Sequence, residues 1–554
     1  MSTTLLPAVF VIVGLSFFYF LIYPVLLSPL AKIPNAHFLS PLTTLWIQWK
    51  RYVQQEIQAV DGAYREKGLV VRLGPNEIAV NLMPGAIKTI HGAPGYDKTE
   101  WYDFYANFDT RNAFSTYSFE DHVVIRRRVS RIYSKSFIQT SPHVQKILST
   151  VLLDRYLPAL SGGPQRTRTL NALDLNFSYG LDVITAFVFG LKHGSNFIEN
   201  IDEKRAWLSV YLKSHPPNHM FWLLELPNLT KWLGRCGLPI LPQSYYEARK
   251  GLADWAMKCL TTAEEDIPSQ GFEELPIGDS PLLLGQIREE MIAEEKAKST
   301  SEKVSKEDPT FLRSESRLQL ASECLDHIRA VRDTFGITYT YTLYQLSLHP
   351  EIQHKLRQEL LTVVSKPKHD VACDASATPL RTLPQPSTLE SLPYLHAVIK
   401  ESLRLRNTFP TSNPRITPSK NGNRGNTEIG PYKNIPAGVR VVCFAYSVQR
   451  NEEIYKEATV WRPERWIAGE RKESKEELRK MEQWFWAFGS GSRSCIGRHL
   501  AMEMLRQGLA AIYTRYSTHV VDDSGFGQNG NFVTGGTSDS LTLRFEALEE
   551  KDGN

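Results

Sequence analysis

Close cysteine pairs are missing from this chain of 554 residues. Its six cysteines, Cys236, Cys259, Cys324, Cys373, Cys443 and Cys495, never fall within a short ligand spacing. That excludes C-x-x-C zinc and redox motifs, and so few cysteines over such a length make no disulfide framework. They read as reduced thiols, five inert and one special. An excess of one charge is missing too. The 64 Lys and Arg against 60 Asp and Glu leave +4, a balance that points to no nucleic-acid partner. Glycine (34) and proline (32) stand near average usage, which removes collagen-like and low-complexity classes. No internal repeat stands out, so solenoids and propellers are excluded. Charge is absent altogether from Met1 to Ala31.

That uncharged stretch holds LLPAVFVIVGLSFFYFLIYPVLL, Leu5 to Leu27. As a helix it would span roughly 35 Å, enough for a hydrocarbon core of about 30 Å. It has no basic leader and no clear small-x-small cleavage site, so an anchor helix is expected rather than a cleaved signal. Lys32, Lys50 and Arg51 follow it, which sets the body on the cytosolic side. Pro24, Pro29 and Pro34 should break the exit into a stiff connector. The sequons at Asn176 and Asn228 then read as accidents. Two domains are expected: the anchor over 1–31 and the body over 32–554.

The body is 42% hydrophobic over the whole chain and has no domain-sized linker. It reads as one large domain, mainly α with minor β-sheets. Residues 68–82 predict two strands around Gly74-Pro75-Asn76. Arg317 to His349, ended by Pro350, predicts a long and largely buried helix; a second follows over 351–365. Residues 292–308 predict a surface loop or frayed helix end, 366–388 an exposed loop, 419–427 a hairpin tip, and 469–480 a solvated charged run. Arg126, Arg127, Arg128 and Arg131 form a basic cluster within 120–137.

Residues 488–497 read FGSGSRSCIG and lead into a helical stretch. The small residues allow a tight loop that a flat cofactor can approach. A thiolate just before a helix is stabilised by the amides and dipole there. A buried inert cysteine is the plainer alternative. Phe488, Gly491, Arg493, Cys495 and Gly497 match F-x-x-G-x-R-x-C-x-G, which resembles the haem-binding signature of the cytochrome P450 family. The resemblance implies that Cys495 is the axial ligand of haem iron, where a thiolate favours O–O cleavage.

Further residues support it. Glu401 and Arg404 of ESLR share one helix face. With Arg465 of PERW they match the family's interlocked structural triad. Within DHIRAVRDTF, Ala330, Asp333 and Thr334 match the oxygen-activation segment, while Val331 and Phe335 depart from it. The resemblance makes Thr334 and Asp333 a proton relay; a mid-helix Thr bonding its own i−4 carbonyl is the plain alternative. Val331 is expected to narrow the oxygen groove, and Phe335 to face the pocket or an adjacent helix. His122, Arg126, Arg415 and Arg493 are expected on the haem propionates. His122-x-x-x-Arg126-Arg127-Arg128 and the Pro34 region look like membrane-bound members from filamentous fungi, which implies secondary metabolism.

The implied enzyme is a haem b monooxygenase on the endoplasmic reticulum membrane, single-pass, with its catalytic domain in the cytosol. Only the residues from Ile496 to Asn554 follow Cys495, too few for flavin domains. NADPH electrons would therefore come from an NADPH–cytochrome reductase, with cytochrome b5 as a second donor. The basic face would dock their acidic surfaces. The aromatics of 101–114, the roof over 209–227 with Phe221, Trp222 and Leu223, and Phe409, Thr411 and 533–537 line the pocket by the same resemblance. They point to an apolar, aromatic or polycyclic substrate. The other classes are an O2-independent haem-thiolate isomerase or dehydratase and a non-catalytic haem binder.

Overall fold

The computed structural model describes residues 5–81, 85–92, 94–267, 275–299, 312–364, 383–410, 412–419, 427–469, 472–524, 526 and 540–548. Cys373, Thr411 and the 533–537 segment lie outside them, as do most of 366–388 and 419–427.

An α-helix over Leu5–Phe17 passes into a π-helical stretch over Phe18–Leu27. Pro24 sits inside that stretch. It does not end the helix as expected; the wider π turn accommodates the missing N–H. Val9–Leu27 is long and apolar enough to cross a membrane, and none of it is buried against the body. Ala172–Phe189 passes the same test of length and apolarity but is 83% buried, the signature of a core helix. The chain leaves the apolar stretch through a 3-10 turn at Pro29–Lys32. Residues 34–36 then pair with the strand Val70–Gly74, Arg72 N–H donating to Pro34 O and Ala36 N–H to Arg72 O. The Arg72 side chain is fully buried. Its guanidinium donates to the carbonyls of Pro24 at 2.7 Å, Pro75 at 2.9 Å and Gly74 at 3.2 Å. Three acceptors offset the desolvation of one buried cation, and burial still lowers its pKa to about 10.

The body is helical around one long helix, Ser314–Leu348, of 35 residues. Its closest neighbour is Ala172–Phe189, and glycines set the approach. A Cβ on Gly336 would lie 2.3 Å from Phe177 Cδ1; one on Gly180 would lie 3.0 Å from Phe335 Cδ1 and 3.1 Å from Val331 Cγ1. Val331 and Phe335 therefore turn toward this neighbour. Phe335 is buried and stacks on Tyr339, so it faces the adjacent helix. Val331 packs on Gly180, which corrects the expectation that it narrows a groove. Each large apolar side chain buried here contributes about 1.5–3 kcal/mol. Asn176 is also internal, accepting from Tyr156 and donating to Thr340; its sequon is an accident of spacing.

Among the described residues three small sheets flank the helices. The first has the order β1-β2-β8-β5-β3. Its strands are β1 (Val70–Gly74), β2 (Glu77–Val80), β3 (Asp97–Lys98), β5 (Arg415–Ile416) and β8 (Arg440–Val442). β1 and β2 form the hairpin expected over 68–82. The second sheet is β4 (Thr167–Asn171), β10 (Thr542–Ala547) and β9 (Tyr516–Asp522), in that order. The third is a hairpin of β6 (Thr427–Ile429) and β7 (Tyr432–Ile435). Its turn lies at Gly430, where φ is +58°, downstream of the tip expected at 419–427. Helix Leu282–Ser299 extends into 292–308, the helix-end alternative of that segment, and the charged run at 469–480 is helical from Lys472 as part of Lys472–Trp484. Both sequences carry long side chains that solvate one helix face. The second predicted helix ends at Leu361.

Candidate active site

The Cys495 loop is built by two backbone constraints. Cys495 N–H donates to Phe488 O at 2.9 Å and Ser494 N–H to Gly491 O at 3.1 Å. Gly489 and Gly491 both have φ of +67°, a region costly for residues with a Cβ. At Gly491 a Cβ would also stand 2.3 Å from His91 O. Gly491→Ala is therefore expected to purify with clearly reduced haem while its far-ultraviolet circular dichroism stays helical; unchanged haem content would contradict this.

Helix Arg498–Tyr513 starts just past Gly497. The amides of Gly497 and Arg498 bond the Cys495 thiol, and the charges of Arg126 and Arg498 favour its ionised form. Burial is the larger effect and raises its pKa above the ordinary value. The helix terminus alone does not yield the thiolate that sequence reasoning expected. The residue is nonetheless exposed rather than sealed into the core.

The long helix opens onto the same region. Ala330 is exposed in mid-helix and Thr334 partly so, in a segment otherwise buried on most sides. The buried Tyr133 phenol lies in the fields of both Cys495 and Asp326, which ties the thiol to this helix. Thr334 Oγ1 donates to Ala330 O at 2.7 Å, the i−4 bond weighed above. Asp333 accepts from the Tyr211 hydroxyl and pairs with Arg332 at 3.0 Å.

A cluster of bases borders this region. His122 is buried in helix Phe119–Ser130, and its Nδ1 has no partner among the described residues. Arg126 donates to Ser494 O at 2.8 Å. Arg493 donates to the carbonyls of Thr116, Tyr117 and Ser118, and Arg415 to the Tyr102 hydroxyl at 2.6 Å. The structure adds Lys98, which sequence reasoning missed. β3 pairs with β5 so that Lys98 stands opposite Arg415, and like charges so placed repel. Burial, then the charges of Arg493, Lys98, Arg126 and Arg415, push the His122 pKa down to about 3. Burial, with Arg415 and Arg493, likewise lowers Lys98.

Among the described residues no carboxylate forms an ion pair with Lys98, Arg126, Arg415 or Arg493. Such a cluster suits an anion. Nor does any group of three His, Cys, Asp or Glu there suit a bare metal ion. A metal at Cys495 would have to arrive in a group with its own donors. The lone thiol, the cradle of Gly489 and Gly491, the unpartnered His122 nitrogen and the unpaired bases fit haem, with its iron and two carboxylates. The other basic residues do not form one exposed face. Arg127 and Arg131 are exposed, but Arg128 is buried and forms a bidentate pair with Glu294 at 2.7 and 3.0 Å.

Glu401 and Arg404 are fully buried on helix Pro393–Leu405. Arg404 binds Glu401 through two bonds of 2.7 and 2.8 Å, and Arg465 adds one of 3.0 Å. Trp466 Nε1 and the Arg462 amide complete the carboxylate's shell. Burial pushes Glu401 up, but the hydrogen bonds and charge of Arg404 and the charge of Arg465 outweigh it and hold the pKa low.

The aromatics of 101–114 gather with Leu224, Leu241 and Tyr245, joined by Leu223 and Phe409. Phe221 and Trp222 meet edge to face, and Phe221 meets Tyr52 in the same way. Glu225 ties this roof to the first sheet. It accepts from Trp101 Nε1 and from both Nη atoms of Arg440, and lies 3.2 Å from Arg51, which also binds Glu77. Sequence reasoning did not find this network, because its members are far apart in the chain.

The P450 family model matches residues 39–533. Curated relatives are similar over most of the chain. Cytochrome P450 monooxygenase avaI of Aspergillus versicolor is 25% identical, with 80% of this chain and 94% of the relative covered. Cytochrome P450 monooxygenase ppzE of Metarhizium majus is also 25% identical, covering 86% and 93%. Cytochrome P450 monooxygenase tpcC of Cochliobolus heterostrophus is 24% identical, covering 92% and 88%. With a match of that extent over the loop and helices described above, the chain belongs to the cytochrome P450 family and is an oxidoreductase.

Proposed function

We propose that the protein is a haem-thiolate monooxygenase of secondary metabolism, anchored by residues 1–31 with a catalytic body over 32–554. It inserts one oxygen atom of O2 into an apolar small molecule: RH + O2 + NADPH + H+ gives ROH + NADP+ + H2O. Haem b supplies the oxygen chemistry when bound. Cys495 ligates its iron, and Arg126, Arg415, Arg493, His122 and Lys98 bind its propionates. Phe488 and Gly491 shape the loop. Thr334 and Asp333 deliver protons, Tyr211 and Arg332 holding Asp333 at the solvent end of that relay. Glu401, Arg404 and Arg465 keep the region around the loop rigid. The basic side takes electrons from an NADPH–cytochrome reductase, with cytochrome b5 as a second donor, on the cytosolic face of the endoplasmic reticulum.

The observation that carries this reading is the lone Cys495 thiol opening onto the same region as the exposed Ala330–Thr334 face, beside unpaired bases. The test is reconstitution with a reductase in vesicles. Substrate-stimulated NADPH and O2 consumption is expected; turnover that needs neither would favour an isomerase or dehydratase. Thr334→Ala should keep its haem yet divert electrons into hydrogen peroxide, read as peroxide formed per NADPH. Coupling equal to wild type would remove Thr334 from the relay.

A further inference from the structure

We infer that Asp326 is a specificity-determining residue whose carboxylate receives an N–H donor carried by an otherwise apolar substrate. The inference rests on the monooxygenase reading and narrows its substrate class. Asp326, Ala330 and Thr334 stand four residues apart on the long helix, and such positions share a face. They are also where that face opens: Asp326 is half-buried between flanks that are buried, Ala330 is exposed, and Thr334 is half-buried. Two of the three match the family's oxygen-activation segment. The third brings an acid to a wall otherwise rich in aromatic side chains.

The carboxyl is also unspent. Among the described residues Asp326 makes no hydrogen bond and no ion pair. Two cations stand close enough to act on it, and both are engaged elsewhere. Arg329 gives one Nη to Asn107 Oδ1 at 2.8 Å and the other to His215 Nε2 at 2.9 Å. Lys98 donates to Phe114 O and sits 4.3 Å from the ring centres of Tyr102 and Phe114. The neighbouring acid, Glu323, is spent on the Ala113 amide at 2.7 Å, and burial together with the charge of Asp326 raises its pKa to about 8. A carboxylate on a partly desolvated wall is better stabilised by a direct donor than by the few waters that reach it. Burial raises the Asp326 pKa to about 7, against the pull of Arg329 and Lys98, so a donor that binds there recovers what the empty carboxyl loses. From the helix rise, the N–H should lie roughly 6–12 Å from the oxidised carbon.

The test uses full-length, haem-loaded protein and reads the substrate-induced Soret shift. The probes are 2-phenylindole against 1-methyl-2-phenylindole, and N,N-dimethyl-2-phenylethylamine against its isopropyl isostere. The N–H member of at least one pair should bind roughly tenfold to a hundredfold tighter, and Asp326→Leu should erase that preference. Asp326→Asn separates the sources of the donor: it retains a preference for a neutral N–H and loses one for a protonated amine. The carbon monoxide difference band of each variant shows whether the haem site is intact. Equal binding within both pairs by wild-type protein with a normal band overturns the inference and leaves the monooxygenase reading standing. A wild-type protein without that band overturns both.

Discussion

Cys495→Ala is expected to abolish the red-shifted Soret band of the reduced, carbon monoxide-treated protein, and product formation with it. The argument is local. The bond that closes the loop runs from the Cys495 amide to Phe488 O, so alanine retains it. Arg126 still holds Ser494 O, and Gly491 still fits beneath His91. The substitution removes one sulfur atom and leaves the cradle. Thiolate donation is what shifts the band and activates the O–O bond. Cys324 and Cys443 offer no substitute: both are buried, with thiol pKa values raised by burial to beyond the ordinary range and to about 12. Retention of the band in the alanine variant would show that another residue ligates the iron.

The second large effect is expected at Glu401. Its two oxygens accept from Arg404 twice, from Arg465, from Trp466 and from the Arg462 amide. Arg404 in turn donates to the carbonyls of Gln449 and Ala458, both at 2.7 Å. Glu401→Gln removes the charge and turns an amide N–H2 toward guanidinium donors, leaving buried cations uncompensated. Breaking such a pair costs about 3–5 kcal/mol, a large share of a margin of roughly 5–15 kcal/mol. The variant should melt several degrees earlier and lose haem on purification. The carboxyl's pKa is held below its ordinary value in the folded state. Its contribution is thus complete above the ordinary carboxylate range and is lost as pH falls through that range and below. In acid, the wild-type protein should weaken toward the variant, and a melting difference that persisted undiminished there would refute this account.

The legible parts of the molecule were those written in short runs of sequence. The Cys495 loop, the Glu401–Arg404 spacing and the long helix each depend on residues within a few turns of one another. Sequence spacing therefore conveyed their geometry. The illegible parts depend on distant strands and helices meeting. Lys98 belongs to a two-residue strand whose significance arises only when β5 sets Arg415 opposite it. Arg128 looked like a surface charge because Glu294, its partner, is remote in the chain. Val331 was assigned to the pocket because nothing local shows that Gly180 makes room for it on the other side. At Cys495 the stabilising amides could be anticipated, but not that desolvation by the surrounding protein outweighs them.

The Arg72 clamp on Pro24 has a mechanical meaning. A single-span tether leading into a flexible tail would let the body swivel and bob. Here the final turns of the apolar stretch are gripped by a fully buried guanidinium that also fastens the first sheet's hairpin. Torque on the tether is thereby passed to the sheet, and through Glu77, Arg440 and Glu225 to the aromatic roof. With the apolar stretch acting as the anchor proposed above, the protein's own framework would set the attitude of the body on a bilayer, and with it the height of the aromatic roof.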